Sequence, residues 1–201
     1  TLDERYKTEY KHVITISTEI KFEDQNILGE LILMSKEESI IHLKGKSLNL
    51  CMGIVESLIE KPLPETFEAD YRTNTFKAFK EQIQPIKGIK DVVGNLKIPF
   101  CVASSGPENK IRLNLEITGL LSYFENKIFS CYSIQKWKPE PDIFLWAAKT
   151  MGFEPHECLV IEDSVSGVKA AKKGGFDVYG YTEHDYKSEL IALANKTFDD
   201  M

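Results

Sequence analysis

Apolar runs and helical stretches alternate along the second half of the chain, past Pro85 and Gly88. The apolar runs predict strands at residues 100–103, 127–130, 158–162 and 177–181. The stretches between them predict helices at residues 89–95, 108–115, 142–151 and 165–173. Such alternation favours parallel strands joined by right-handed crossovers. We therefore predict an α/β fold built on a doubly wound parallel sheet.

The first half of the chain has a different pattern. A β-branched run at residues 12–16 predicts one strand, and from residue 24 to 84 the apolar residues recur at helical spacing. The positions that carry this spacing are Leu48, Cys51, Met52, Val55, Leu58 and Ile59, followed by Phe67, Tyr71, Phe76 and Phe79. Such side chains pack against one another in helical cores, so we interpret them as core and not as an aromatic ligand cage.

These two patterns together predict the domain organisation. Residues 1–23 and 85–201 form an α/β core, and residues 24–84 form a small α-helical cap inserted after the first strand. An insertion at that place lies over the carboxyl ends of the strands, where open α/β sheets bind their ligands. We therefore expect the functional site between the strand ends and the cap.

The charge balance limits the partners of this chain. Its 201 residues carry a formal net charge of −6, with 28% charged and 42% hydrophobic residues. Because an acidic protein is repelled by phosphate backbones and anionic lipids, we expect no nucleic acid and no membrane as partner. A small anionic ligand then requires a local positive charge or a metal ion at its site.

The cysteines indicate the compartment. The four are Cys51, Cys101, Cys131 and Cys158, and no two of them form a Cys-x-x-Cys pair. Widely spaced cysteines in apolar runs predict buried free thiols in a reducing compartment. The sequence also shows no signal-peptide pattern and no apolar run of about 18 residues. We therefore predict a cytoplasmic protein, and we expect a monomer.

Two acids stand at the end of the apolar run that begins at residue 158. Glu162 and Asp163 complete that run, and Ser164 comes directly before a predicted helix. Carboxylates at the end of a buried strand are placed to bind a hard cation such as Mg²⁺. Alternatively, Asp163 or Ser164 only caps the helix, as such residues commonly do. These residues alone leave both interpretations open.

Small polar residues follow the apolar run at residues 100–103. They are Ser104, Ser105 and Gly106, with Pro107 opening the next predicted helix. Serine hydroxyls and backbone N–H groups at a helix N-terminus form an anion site. The simpler alternative is a polar turn in which a serine caps the helix.

Lys138 lies in a loop that contains two prolines, Pro139 and Pro141. Because proline restricts the backbone, we expect the ammonium group to be held in place. The alternative is an ordinary solvated surface lysine, which is the usual state of this residue type.

A turn in the helical segment has part of a phosphate-loop pattern. It consists of Lys44, Gly45, Lys46 and Ser47, and the upstream glycine of a complete phosphate-binding loop is absent. A plain turn between two helices explains these four residues equally well.

The order and spacing of these segments resemble the haloacid dehalogenase-like hydrolases, in the branch of phosphatases and β-phosphoglucomutases with a small helical cap. The resemblance runs from about residue 11 to the end of the chain. Two segments are specific for that branch, residues 130–144 and residues 160–171. They contain Lys136-Trp137-Lys138-Pro139-Glu140-Pro141-Asp142 and Val160-Ile161-Glu162-Asp163-Ser164. The Lys44–Ser47 turn resembles the cap loop that faces substrate in the same branch.

The resemblance implies a role for each of these residues. Ser104, with Ser105 and Gly106 beside it, would bind the transferring phosphoryl group, and Lys138 would neutralise its charge and orient the nucleophile. Asp163, assisted by Glu162, would hold Mg²⁺. These roles agree with phosphoryl-transfer chemistry, which needs a cation, hydrogen-bond donors and a metal around dispersed negative charge.

The family's first motif, Asp-x-Asp at the end of the first strand, has no counterpart here. Aligning residues 11–14 with that strand puts Ile16 and Thr18 at the positions of the two aspartates. Isoleucine cannot attack phosphorus, and threonine is a poor proton shuttle at neutral pH. Glu19 stands about 10 Å further along an extended chain. The other nearby acids are Asp3, Glu23 and Asp24. We therefore expect severely reduced turnover.

Three functional hypotheses follow. The first is a haloacid dehalogenase-like phosphatase scaffold for small phosphate monoesters such as sugar phosphates, with Mg²⁺ as cofactor and a phosphorylated metabolite as partner. In intact relatives it acts through an aspartyl-phosphate, either as a phosphatase or in phosphoryl transfer of the phosphoglucomutase type. The second is a non-catalytic homologue that binds a phosphorylated metabolite or a protein. The third is a true haloacid dehalogenase, whose chemistry uses no Mg²⁺ and leaves Glu162 and Asp163 without a metal to hold.

Overall fold

The computed structural model of the chain describes residues 12–15, 43, 48–182 and 188–200, with the backbone alone for residues 12–15, 78, 79, 81 and 82. The strands in this part of the chain are β1 (His12–Thr15), β2 (Val102–Ser104), β3 (Ile128–Ser130), β4 (Cys158–Glu162), β5 (Asp177–Tyr181) and β6 (Lys196–Phe198). The helices are α1 (Leu48–Ile59), α2 (Phe67–Gln82), α3 (Ile89–Asn95), α4 (Glu108–Ile117), α5 (Leu121–Phe124), α6 (Cys131–Ile134), α7 (Asp142–Met151), α8 (Val165–Lys173) and α9 (Glu189–Leu193). A 3₁₀ turn, Pro155–Glu157, precedes β4.

All the strand pairs in the described part of the chain are parallel. β1, β4, β5 and β6 are hydrogen-bonded in that order, and β2 pairs with β3. β1 also lies beside β2, so the strands follow one another as β3, β2, β1, β4, β5 and β6. Parallel strands joined by helices confirm the predicted α/β fold.

Helices cover both faces of these strands. Residues at and before β2 alternate between two apolar clusters, with Cys101 and Ala103 in one and Phe100 and Val102 in the other. The first cluster is completed by residues of α7 and α8, and the second by residues of α3 and α4. Because successive strand residues point to opposite faces, the two clusters lie on opposite sides of the sheet. This arrangement confirms the doubly wound architecture.

Most predicted elements of the second half are confirmed. β4, β5, α3, α7 and α8 have the predicted bounds, whereas β2 and β3 begin later than predicted. The sequence analysis missed α5, α6, α9 and β6, each only three to five residues long. Elements of that length are too short to show a hydrophobic period. In the part of the chain that the structure covers, no helix has the length and apolarity of a membrane span.

α1 and α2 lie within the segment predicted to form the helical cap. In α2, Phe67 and Tyr71 stack with ring centroids 6.1 Å apart, as expected for mutual packing. α2 in turn packs on α4 of the α/β core. Most of the segment before α1 lies outside the described residues, so the bounds of the cap stay a prediction.

Candidate functional site

Polar side chains stand at the carboxyl ends of three parallel strands. Ser104 ends β2, Ser130 ends β3 directly opposite it in register, and Glu162 ends β4. Because parallel strands end at the same edge of a sheet, these residues belong to one edge. The structure therefore brings the predicted segments together.

Lys138 joins two of these strand ends. Its side chain is 7% exposed and forms an ion pair with Oε1 of Glu162, whose side chain is 1% exposed. The Nζ atom also donates to the carbonyl oxygen of Ala103 at 3.4 Å and lies 4.8 Å from the centre of the Phe144 ring. The expectation that this ammonium is held in place is confirmed, and the alternative of a solvated surface lysine is wrong.

The second oxygen of Glu162 binds the turn that begins α8. Oε2 accepts hydrogen bonds from the Ser164 hydroxyl at 2.9 Å and from the Ser164 N–H at 3.3 Å. Ser164 also caps α8, since its Oγ accepts from the N–H of Gly167 at 3.0 Å. A Cβ atom on residue 167 would overlap the Glu162 carboxylate, so any other residue would force that carboxylate to move. Ser164 is thus the helix cap that the simpler interpretation expected.

These contacts make Glu162 the residue that positions Lys138. Both of its oxygens bind protein groups, so its predicted assistance to Mg²⁺ would require a rearrangement. Asp163 is 8% exposed and follows directly at the strand end. Across the described residues no three side chains of the His, Cys, Asp or Glu types form a group that could hold a metal. The described residues therefore contain no complete metal site, and the metal-binding role of Asp163 stays a prediction.

A short hydrogen-bond network fixes the loop after β2. Ser104 Oγ accepts from the Gly106 N–H at 3.1 Å, and the Ser130 hydroxyl donates to the Gly106 carbonyl oxygen at 2.7 Å. The Tyr132 N–H in turn donates to Ser130 Oγ at 3.2 Å. The residue before α4 is Pro107, so the alternative in which a serine caps that helix is wrong. We call residues 104–106 the anion loop, after the role that the sequence predicts for them.

Cys131 lies next to the anion loop but is a poor substitute for the nucleophile that the sequence predicts to be absent. Its side chain is fully buried, and burial raises the pKa of its thiol, although the charge of Lys138 and the hydroxyl of Ser105 oppose that shift. A thiol with a raised pKa stays protonated at neutral pH and is weakly nucleophilic. All four cysteines are free and three of them are buried, as predicted.

The sequence analysis missed four polar residues around the anion loop. Arg72 of α2 donates from Nη2 to the Tyr132 hydroxyl at 3.3 Å, and the Tyr132 ring packs edge-on against Trp137 at 5.5 Å. The other two are Ser130 and Lys110. Ser130 had a detectable signal, since it ends an apolar run just as Ser104 does. Arg72 and Lys110 had none, because helix positions do not show which neighbour they face.

The remaining predicted site residues lie outside the described part of the chain. They are the cap turn Lys44, Gly45, Lys46 and Ser47, the first-motif positions Ile16 and Thr18, and the acids Asp3, Glu19, Glu23 and Asp24. The roles suggested for them stay predictions.

Comparison with known proteins identifies relatives over most of the chain. Residues 8–175 match the family model described as haloacid dehalogenase-like hydrolase. The 6-phosphogluconate phosphatase of Escherichia coli is 30% identical over 83% of this chain and 76% of its own. A probable pseudouridine-5'-phosphatase of Drosophila melanogaster is 32% identical over 84% of this chain and 74% of its own.

A solved structure extends this likeness to the fold. It is a haloacid dehalogenase family hydrolase from Deinococcus radiodurans with bound phosphate and sodium. It superposes with a TM-score of 0.73 at 22% identity, over 94% of this chain and 91% of its own. At that identity the likeness concerns the fold alone.

Proposed function

The chain belongs to the haloacid dehalogenase-like hydrolases, and on that basis we propose that it is a phosphatase scaffold that binds small phosphate monoesters, such as sugar phosphates, at the anion loop and Lys138. The observation that carries the proposal is the buried Lys138 ammonium at the strand ends. Glu162 offsets part of its charge, but with little solvent to screen it the ammonium still offers a charged donor to a ligand anion. The proposed binding mode needs no residue outside the described part of the chain.

The donors of Lys138 support this assignment. An ammonium group has three N–H donors, and Glu162 and the Ala103 carbonyl take two of them in the described residues. The third is available to a phosphate oxygen. Because Glu162 and Ala103 O fix the direction of the other two, the third donor is positioned before the ligand arrives, which reduces the entropy lost on binding.

The anion loop supplies further donors. The hydroxyls of Ser104 and Ser105 and nearby backbone N–H groups are suited to phosphate oxygens. The bond from Ser130 to the Gly106 carbonyl orients that peptide and keeps the loop rigid. In the proposed mode, Lys138 and the loop therefore bind two sides of one phosphate group.

Mg²⁺, the cofactor that the family resemblance implies, would be held by Asp163 together with residues outside the described part of the chain. When bound, it would offset phosphate charge beside Lys138. The contacts of Glu162 favour a positioning role for that residue. Since the sequence alignment predicts Ile16 and Thr18 at the positions of the family's two aspartates, we propose that this chain retains ligand binding but has strongly reduced turnover.

The names of the relatives support the ligand class. Two of the relatives are a 6-phosphogluconate phosphatase and a probable pseudouridine-5'-phosphatase. Both names describe phosphate monoesters of small metabolites. The four free thiols fit a reducing compartment such as the cytoplasm, and we further propose a monomer.

The binding test is calorimetry with inorganic phosphate, with and without Mg²⁺. We expect the unmodified chain to bind phosphate. We expect Lys138→Met to bind it at least 10-fold more weakly, which corresponds to a loss of about 1.4 kcal/mol or more in binding free energy. Lys173→Met is the matched control, because Lys173 also pairs with a glutamate but its side chain is 56% exposed. Because Lys138→Met leaves Glu162 buried and unpaired, Lys138→Met/Glu162→Gln is measured beside it, and all variants are checked by circular dichroism. A folded chain that does not bind phosphate contradicts the proposal.

The turnover test uses p-nitrophenyl phosphate with Mg²⁺. We expect release near the uncatalysed background for the unmodified chain and a measurable gain for Ile16→Asp/Thr18→Asp, which restores the first motif. Robust turnover by the unmodified chain would show that the prediction of reduced turnover is wrong. A double variant that binds phosphate but stays inactive would favour the alternative of a non-catalytic binding homologue, for which the missing aspartates are the specific observation.

A further inference from the structure

Two cations, Arg72 and Lys110, lie on neighbouring helices near the anion loop. Arg72 lies on α2, Lys110 lies in the first turn of α4, and these two helices pack together. The packing of α2 on α4 brings the two helices together, and burial followed by the positive charge of Arg72 lowers the pKa of Lys110. An anion that binds beside two like charges lowers the cost of keeping both of them charged.

The guanidinium group of Arg72 has N–H donors that no described residue accepts. Its Nε and Nη2 atoms donate to Glu68 at 2.9 Å and 2.6 Å, and Nη2 also donates to the Tyr132 hydroxyl. The two N–H groups on Nη1 have no partner among the described residues. The Glu68 partner lies one helical turn away with its side chain 42% exposed, and exposed pairs of this kind are weak. A ligand anion can therefore bind Nη1 directly or replace Glu68.

Lys110 lies against the anion loop itself. Its Cδ atom is 3.8 Å from the place that a Cβ atom on Gly106 would occupy, so its stem runs along the loop. Burial lowers the pKa of this ammonium first, and Arg72 lowers it further, with the Cys51 thiol acting in the opposite direction. The cost of keeping this cation charged falls when an anion lies beside it.

Arg72 is connected to the same loop through the other neighbouring strand. The Tyr132 residue that Arg72 contacts donates its N–H to Ser130, and Ser130 binds the Gly106 carbonyl. Lys110 and Arg72 are thus connected to the loop from two different helices, α4 and α2.

We propose that Arg72 and Lys110 form a second anion subsite, and that the preferred ligand is a phosphate monoester that also carries a carboxylate or a second phosphate. This inference rests on the proposed function, because it assumes that the first phosphate binds at the anion loop. A guanidinium fork and an ammonium group recognise both anions, through two parallel hydrogen bonds and a point charge respectively. In a chain with a net charge of −6, they also supply the local positive charge that such a ligand needs.

The experiment compares ligands that differ in one anionic group. The first pair is 6-phosphogluconate and glucitol 6-phosphate, where a carboxylate replaces a hydroxymethyl group. The second pair is fructose 1,6-bisphosphate and fructose 6-phosphate. Dissociation constants are measured by calorimetry for each pair and for inorganic phosphate. We expect the more anionic member of at least one pair to bind 10-fold or more tightly, and the pair that shows this identifies the second anion.

The substitutions are Arg72→Met and Lys110→Met. Each is expected to reduce that preference to about 3-fold or less while changing the affinity for inorganic phosphate less than 3-fold. Arg112→Met is the matched control, because Arg112 has the same spacing from its partner Glu108 as Arg72 has from Glu68, but lies exposed on α4. Since the two substitutions are on different helices, the preference remains measurable if one variant fails to fold.

The outcomes separate the two proposals. If phosphate binds but neither pair shows a preference, or the preference survives both substitutions, the second subsite is wrong and the phosphate site stands. If the folded chain binds no phosphate, the proposed function is wrong and this inference falls with it. A preference lost in Arg72→Met and Lys110→Met but kept in Arg112→Met supports the subsite.

Discussion

The side chain of Glu162 holds two parts of the site in place, Lys138 and the start of α8. Its carboxylate is almost closed to solvent, and its two oxygens bind Lys138 on one side and Ser164 on the other. Breaking a buried ion pair by removing one partner costs about 3–5 kcal/mol, because the other charge stays buried without compensation. The direction of Lys138 and the start of α8 therefore depend on the same residue.

The space around Glu162 gives a prediction at Gly167. Gly167→Ala places a methyl group where the carboxylate lies, so we expect unfolding to become easier by about 1–3 kcal/mol. Gly53→Ala is the matched control, since Gly53 is also inside a helix and nothing lies within 4 Å of its added Cβ. That control is expected to stabilise by about 0.5–1 kcal/mol. Urea unfolding measures both, and equal stability of the two variants would contradict the account of Gly167.

The limits of sequence prediction are visible in the same residues. The acids at the end of β4 and the serine at the start of α8 have clear local patterns, and the structure places them as predicted. The pairing of Glu162 with Lys138 is not local, since it joins side chains 24 positions apart. The sequence therefore indicated a charged site but assigned Glu162 to a metal that its contacts do not favour.

Among the elements, β6 depends on Asn195, the residue before it, which forms hydrogen bonds with β5. Asn195 donates its N–H to the Val178 carbonyl at 2.8 Å, and its Oδ1 accepts from the Val178 N–H at 2.9 Å. Its amide group also donates to Asp177 at 2.9 Å. Three bonds from one residue hold the connection between α9 and β6 against β5. Hydrogen bonds of this kind leave no hydrophobic pattern in the sequence, so β6 was not predicted.

Asn195→Ala should weaken this edge of the sheet. The Val178 N–H would lose its acceptor in a buried place, so we expect a loss of about 1–3 kcal/mol in the free energy of unfolding. We also expect faster amide exchange at Thr182, whose N–H donates to Phe198 of β6. Asn95→Ala is the control, because Asn95 makes one exposed bond to Asp91 and its loss should change stability by less than about 0.5 kcal/mol. Unchanged exchange at Thr182 would show that Asn195 does not hold β6.

For the whole molecule, the buried thiols make stability depend on pH. Burial raises the pKa of both Cys101 and Cys158 from 9.0 to about 12. Below pH 9 both thiols are protonated in the folded and in the unfolded chain, and their contribution to the free energy of unfolding is fully present. Above pH 9 the unfolded chain releases protons that the folded chain retains, so stability falls as the pH rises towards 12.

The expected slope is about 1.4 kcal/mol per pH unit for each thiol in that window. Chemical unfolding at pH 8, 9.5 and 10.5 should show a steeper decline for the unmodified chain than for Cys101→Ala/Cys158→Ala. Lysines and tyrosines titrate in both proteins, so their contribution cancels in the comparison. Cys51→Ala, which changes the half-buried thiol, should follow the unmodified chain. Parallel declines in all three would show that the buried thiols do not contribute.

The position of β1 has a consequence for how the chain reaches its folded state. β1 lies between β2 and β4 and pairs His12 with Cys158, so its partner strand is synthesised about 145 residues later. Closing so long a loop is entropically costly and slows folding. β1 must therefore wait, unpaired on its β4 side, until the residues up to Glu162 have been synthesised.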